Sequence, residues 1–134
     1  MTARASGTFD VQLNPQKADD YSDGASLGRM TIDKQYRGDL AGAAKGQMLT
    51  ALTAVKGSAA YVAIERVSGA LHGRRGTFVL VHRGSMARGE QQLSLTVVPD
   101  SGTEQLAGIS GAMEIEIADG RHSCEFEYAL PRAP

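Results

Sequence analysis

The sequence has no tryptophan, one cysteine and four prolines in 134 residues, and only 5% of it is aromatic. Each shortage excludes something. A single cysteine, Cys124, allows neither an intramolecular disulfide nor a thiolate metal cluster. With no partner at catalytic spacing, it reads as a small buried apolar residue. Few aromatics argue against a base-stacking platform for nucleic acid. Fourteen basic and fifteen acidic residues leave a formal charge of −1. They are mixed along the chain, so no patch draws nucleic acid or an anionic membrane. No run approaches the ~20 apolar residues of a membrane span. The opening MTARASGTFDV lacks the apolar stretch of a signal peptide, and a cytoplasmic protein is expected. Three scattered histidines without a carboxylate cluster give no metal spacing, and no cofactor is expected. The glycine-rich SGTEQLAGISG at 101–111 has no helix after it and matches neither a dinucleotide nor a phosphate-loop fingerprint. It reads as a tight turn sequence. No serine lies in a G-x-S-x-G elbow.

What the chain has in quantity is glycine, sixteen residues of it, and strict apolar alternation. Alternation is the mark of strands with one buried face. Residues 7–13 put Phe9, Val11 and Leu13 on one face; residues 27–37 put Met30, Ile32, Lys34 and Tyr36 on one face. Residues 40–55 carry good helix formers, but Gly42 and Gly46 favour a long, kinked strand over a helix. Further strands are expected at 59–71, 77–86, 91–98, 112–118 and 122–130, the last two joined by Asp119-Gly120, a strong hairpin turn. Residues 14–26 and 100–111 read as connections. Eight strands in sequential, hairpin-like order predict one all-β domain over 1–134. Its architecture is a single antiparallel, mostly up-and-down eight-stranded β-barrel. A β-sandwich is the competing architecture, disfavoured because it usually needs longer crossing connections.

The hairpin at 61–84 carries the candidate site. If its two-residue loop is Gly73-Arg74, Gly69 faces Phe78, Val67 faces Leu80 and Glu65 faces His82. A carboxylate and an imidazole then share the apolar inner face, with Tyr61 on the same strand face and Lys34 on a neighbouring one. Burying a charge is costly unless it is paired. The pair is therefore either a structural hydrogen bond that fixes register or a general base made more basic by its apolar setting. Lys34 could pair with Glu65 or stabilise a developing oxyanion. Val67, Phe78, Leu80 and Met113 are expected to line the interior with Met30 and Met48, whose thioethers suit an adaptable cavity. His72 and His122 sit at turns and read as exposed. On the outer face Val62, Ile64, Val79 and Val81 suggest a homo-oligomer interface or a covering segment.

The segments ERVSGALHGRRGTFVLVHRG (65–84) and VVPDSGTEQLAGISG (97–111), with KQYRGDLAG (34–42) upstream, resemble the DUF3224 family of small bacterial proteins. The resemblance covers nearly the whole chain and implies a calycin-like barrel similar to that of allene oxide cyclase. SGTEQLAGISG also resembles the glycine-rich turn of allene oxide cyclases and dirigent proteins, where a second glycine often follows Gly-Thr; this chain has Glu104 there. The family name carries no function, so the resemblance supplies fold more than chemistry.

Two functions are then expected to compete. One is a cofactor-independent isomerase, cyclase or lyase. It would deprotonate a small, largely apolar carbon acid with Glu65 or His82, at a rate governed by one titration near neutral pH. The other is a non-catalytic carrier of a small hydrophobic ligand. A barrel filled by its own side chains is a weaker third.

Overall fold

The computed structural model describes residues 2–16 and 25–131. Eight strands follow one another around a closed antiparallel barrel in sequence order. They are β1 (Ala3–Gln16), β2 (Ala25–Gly38), β3 (Leu40–Thr53), β4 (Ala59–Leu71), β5 (Arg74–Ala87), β6 (Glu90–Val97), β7 (Ser110–Ala118) and β8 (Arg121–Ala129). β8 pairs with β1 and completes the ring, which removes the exposed edges of an open sheet. The fold is thus the all-β barrel that the alternation predicts, and residues 40–53 are strand throughout. Among the described residues there is no α-helix, and none long and apolar enough to cross a membrane.

The long strand β3 keeps its helix formers extended because its inner face is made of small residues. Gly42, Ala44 and Gly46 lie opposite Gly69, Val67 and Glu65 of β4. A Cβ at Gly46 would sit 2.1 Å from the Ile64 carbonyl oxygen, so only glycine admits this approach. The same small residues leave room inside the barrel for long side chains from β2.

The interior is divided. One half is filled: Phe9, Tyr36, Leu40, Val67, Leu71, Phe78, Leu80, Leu106, Ile109, Met113, Phe126 and Tyr128 form one buried cluster. Phe78 stacks on Phe126, with ring centroids 5.6 Å apart. The β6–β7 connection closes this end. It folds back on β5 through Thr103 N–H to the Thr77 carbonyl (2.9 Å) and Thr77 N–H to Thr103 Oγ1 (3.0 Å). A single 3₁₀ turn, Glu104–Leu106, then inserts Leu106, with Ile109 buried just after it. The SGTEQLAGISG segment is therefore an end plug rather than a simple turn.

The sequence-based pairing of the central hairpin needs correction by two residues. Leu71 pairs with Arg74, so the loop is His72-Gly73, and Glu65 faces Leu80 while His82 faces Ala63. Both loop residues have positive φ, +46° and +82°. That is the requirement of a type I′ turn, whose twist matches the strands it joins. A histidine at the first position hides the signal that Asn-Gly would have given. Because the slip is even, every side chain keeps its predicted face.

A candidate proton-handling site at the floor of an open cavity

Period-two alternation sends Lys34 and Tyr36 of β2, Tyr61 and Glu65 of β4, and His82 and Gly84 of β5 into the barrel. Lys34 and Tyr36 cross the small inner face of β3 to reach Glu65. Lys34 Nζ lies 2.8 Å from Glu65 Oε2, with the two side chains 5% and 1% exposed. The Tyr36 hydroxyl donates to Glu65 Oε1 at 2.6 Å. Lys34 Nζ also lies 3.5 Å from the Tyr36 oxygen and 4.8 Å from the Phe9 ring centroid. Burial first, and then the Glu65 carboxylate, pushes the Tyr36 phenol far above its ordinary range. Tyr36 therefore stays protonated as a donor, and both carboxylate oxygens of Glu65 are occupied by protein.

Above this cluster the described residues surround a cavity. Its volume is about 630 Å³, and every strand contributes to a mainly apolar lining that includes Val11, Ile32, Met48, Leu93 and Ile115. Lys34, Tyr61, His82 and His122 supply most of its polar floor. Glu65 is not among its lining residues; Lys34 is. The cluster is thus the floor on which a ligand would rest, with the ammonium uppermost.

His82 is the basic group that the cavity reaches. Its Nε2 is 2.8 Å from the Tyr61 hydroxyl, and the two rings meet edge to face at 78°. Burial, and then the Lys34 cation, pull its pKa down to about 4, against a smaller opposite pull from Glu65. The imidazole is therefore uncharged at neutral pH. Burial raises the Tyr61 phenol, which stays protonated too. Gly84 makes the Tyr61–His82 contact feasible. It pairs with Tyr61 across the strands, and a Cβ there would lie 2.4 Å from the Tyr61 ring.

The other predicted site residues go elsewhere. Val67, Phe78, Leu80 and Met113 all belong to the packed half and none lines the cavity. Met48 does line it. Tyr36 was placed on the right face by alternation, but its bond to Glu65 follows only from the gap left by β3. His122, expected exposed, is half-buried with its ring 5.1 Å from Phe9. Period two from Cys124 and Phe126 already carries it inward. His72 is exposed at its turn, yet its Nδ1 is 2.5 Å from the Tyr128 hydroxyl and its Nε2 3.6 Å from Asp39 Oδ2. Cys124 is buried, and burial raises its thiol pKa, so it carries no reactive thiolate. Among the described residues no group of three or more His, Cys, Asp or Glu could hold a metal ion.

A closed eight-stranded antiparallel barrel, plugged at one end and hollow at the other with a polar floor between, defines the class of this protein. Within that class the chain belongs to a family described as "Protein of unknown function (DUF3224)", whose profile matches residues 5–128. It is similar to a solved structure from that family, a protein with unknown function from Shewanella oneidensis MR-1. The two chains share 47% identity over 99% of this chain and 100% of that one, with a TM-score of 0.94. No curated protein matches the sequence.

Proposed function

We propose that the protein is a cofactor-independent proton-transfer enzyme acting on a small, largely apolar carbon acid held in the open half of the barrel. One observation carries this reading: an uncharged imidazole, oriented by a tyrosine, shares an apolar cavity with a paired ammonium. Of the two bases expected, His82 rather than Glu65 takes the proton. Glu65 has both oxygens engaged below the floor, where it holds Lys34 in place. In the tautomer that donates Nε2–H to the Tyr61 oxygen, the Nδ1 lone pair remains to accept a substrate proton. Tyr61 is then a positioning residue. Lys34 stabilises the negative charge that develops as the C–H bond breaks. The resemblance to allene oxide cyclase agrees with a cyclase or isomerase, as an analogy of fold rather than of site. A cytoplasmic location and a small hydrophobic partner go with it.

The test uses a nitrobenzisoxazole, an apolar carbon acid. Loss of its ring proton breaks the N–O bond and releases a coloured phenolate. We expect His82→Gln to lower kcat/KM by about 100-fold or more, the usual worth of a positioned base, and Tyr61→Phe to lower kcat by less. The rate should be flat near neutrality and fall on acidification as His82 protonates around pH 4. The titration expected on this reading lies below the neutral range that the sequence alone suggests. A rate unchanged in His82→Gln refutes the proposal. The second reading, a carrier, is favoured by the same satisfied Glu65 cluster. It predicts stoichiometric binding of apolar dyes by wild type and His82→Gln alike, with no turnover.

A further inference from the structure

The floor of the cavity is selective about charge. Among the described residues, Lys34 is the only Lys, Arg, Asp or Glu in the lining. Its positive charge is already met by Glu65 at 2.8 Å. A ligand carboxylate would have to be desolvated beside a second carboxylate, with one cation shared between two anions, and like charges in one buried site oppose each other. A neutral oxygen acceptor meets no such opposition. An ammonium has three donors. Glu65 and Tyr36 are its hydrogen-bond partners among the described residues, which leaves one N–H for a ligand.

The opposite end of the cavity is the reverse in character. Its lining includes Leu13, Leu52, Leu93 and Ile117, which are 44, 58, 50 and 65% exposed. They sit at the strand ends that form the mouth. Apolar side chains gathered at a cavity entrance favour a ligand whose far end is aliphatic, because covering them removes apolar area from water.

We propose that the ligand is a neutral carbonyl compound with an aliphatic tail, bound with its oxygen on Lys34 Nζ and its tail toward the mouth. This deepens the proton-transfer reading and rests on it. His82 Nδ1 takes a proton from the carbon next to the carbonyl. The C–H pair becomes the C=C bond of an enolate, and the carbonyl π pair moves onto the oxygen, where Lys34 stabilises it. Return of the proton to a conjugated carbon completes an isomerisation with no other reactant; if the imidazolium first trades its proton with solvent water, return to the same carbon completes a hydrogen exchange.

The test compares a medium-chain methyl ketone with the fatty acid of equal chain length at neutral pH. Binding is read by displacement of an apolar dye, and exchange of the ketone's α-protons is read by NMR in D₂O. We expect the ketone to bind at least about tenfold tighter than the acid, and exchange to be accelerated by the protein. The acceleration should be lost both in His82→Gln and in Lys34→Met/Glu65→Gln, a double variant that removes both buried charges together and so preserves folding. Equal or tighter binding of the fatty acid overturns the inference, as does a ketone that fails to bind or an affinity unchanged in the double variant. The nitrobenzisoxazole has no carbonyl. If it is turned over through His82 while the ketone fails, the substrate class is wrong and the proton-transfer reading stands. If both fail, the proton-transfer reading fails with it.

Discussion

Replacing Glu65 by glutamine tests the floor of the barrel directly. The amide is nearly isosteric and can still accept from the Tyr36 hydroxyl, so the packing and one hydrogen bond survive. What is lost is the counter-ion of Lys34, whose side chain is 5% exposed and 2.8 Å from the carboxylate. Removing one partner of a buried ion pair leaves an uncompensated charge and costs roughly 3–5 kcal/mol. A domain of this kind has about 5–15 kcal/mol in total, so Glu65→Gln should lose a large share of its stability. In heating, that corresponds to a fall in Tm of about 10–15 °C. Lys34→Met should cost a similar amount, because it strands the carboxylate. The double variant Lys34→Met/Glu65→Gln contains no buried charge, so its cost should fall well below the sum of the two. The coupling should be about 3 kcal/mol or more, measured by urea unfolding at neutral pH with the slopes compared to verify two-state behaviour. Additive costs, or a loss below about 1 kcal/mol in Glu65→Gln, would refute the reasoning. They would mean that water reaches the pair and that the floor is not sealed.

Three further outcomes are expected from the same structure. His82 has a folded pKa of about 4 against an ordinary 6.5, so the unfolded chain takes up the proton first. Its contribution is complete above about pH 6.5, declines as the pH falls from there and is gone below about 4. It is on the order of 1 kcal/mol, discounted because the ring is partly in solvent. An NMR titration of the His82 ring should show its inflection near 4, and an inflection above 6 would contradict the assignment. Gly84→Ala should push the Tyr61 ring away from His82, since the new Cβ would lie 2.4 Å from it. The Tyr61 fluorescence and the nitrobenzisoxazole rate should both change while the fold persists; an unaltered rate would show that Tyr61 does not position the base. Glu104 has φ of +52°, in the left-handed region that favours glycine. Glu104→Gly relieves an unfavourable left-handed residue, worth ~1–2 kcal/mol, against the entropy that glycine adds to the unfolded chain. Unfolding in urea should show no loss and up to about 1 kcal/mol of gain, and a clear loss would count against the reading.

The strands and their faces were legible because one face of every strand must meet the interior, and a period of two records that at each position. Lys34 was inward by that count alone, against its charge, and so was Tyr36. Two things were not legible. The hairpin register depended on a turn in which His72 adopts φ of +46°, a conformation that its side chain does not advertise. The sequence names Lys34 as a possible partner of Glu65, and it is one, but the second donor, Tyr36, was not foreseen, and the reach of both depends on β3. Nothing in the hairpin itself says that the strand two places away will supply both donors. That information is the run of small residues Gly42, Ala44 and Gly46, of which the two glycines read in the sequence only as kinks in a long strand. Their lack of bulk opens the path from β2 to β4. His122 was misplaced for a different reason: adjacency to a turn was weighed above its phase with Cys124.

The division of the barrel explains why a polar cluster stands at its middle. A barrel of eight strands filled from end to end with apolar side chains would have no place for a ligand, and one hollow from end to end would bury too little to hold together. The boundary between the two regimes has to face packed side chains below and a wettable cavity above. Lys34, Tyr36 and Glu65 meet both conditions. Below, each carboxylate oxygen meets one donor, and among the described residues no buried side-chain polar atom is left without a partner. Above, the ammonium keeps one donor for the cavity and, by its charge, helps hold His82 in its uncharged form. The structural and the functional reading of Glu65 are therefore not rivals: by fixing Lys34 from beneath, the carboxylate sets the polarity of the surface on which His82 would act.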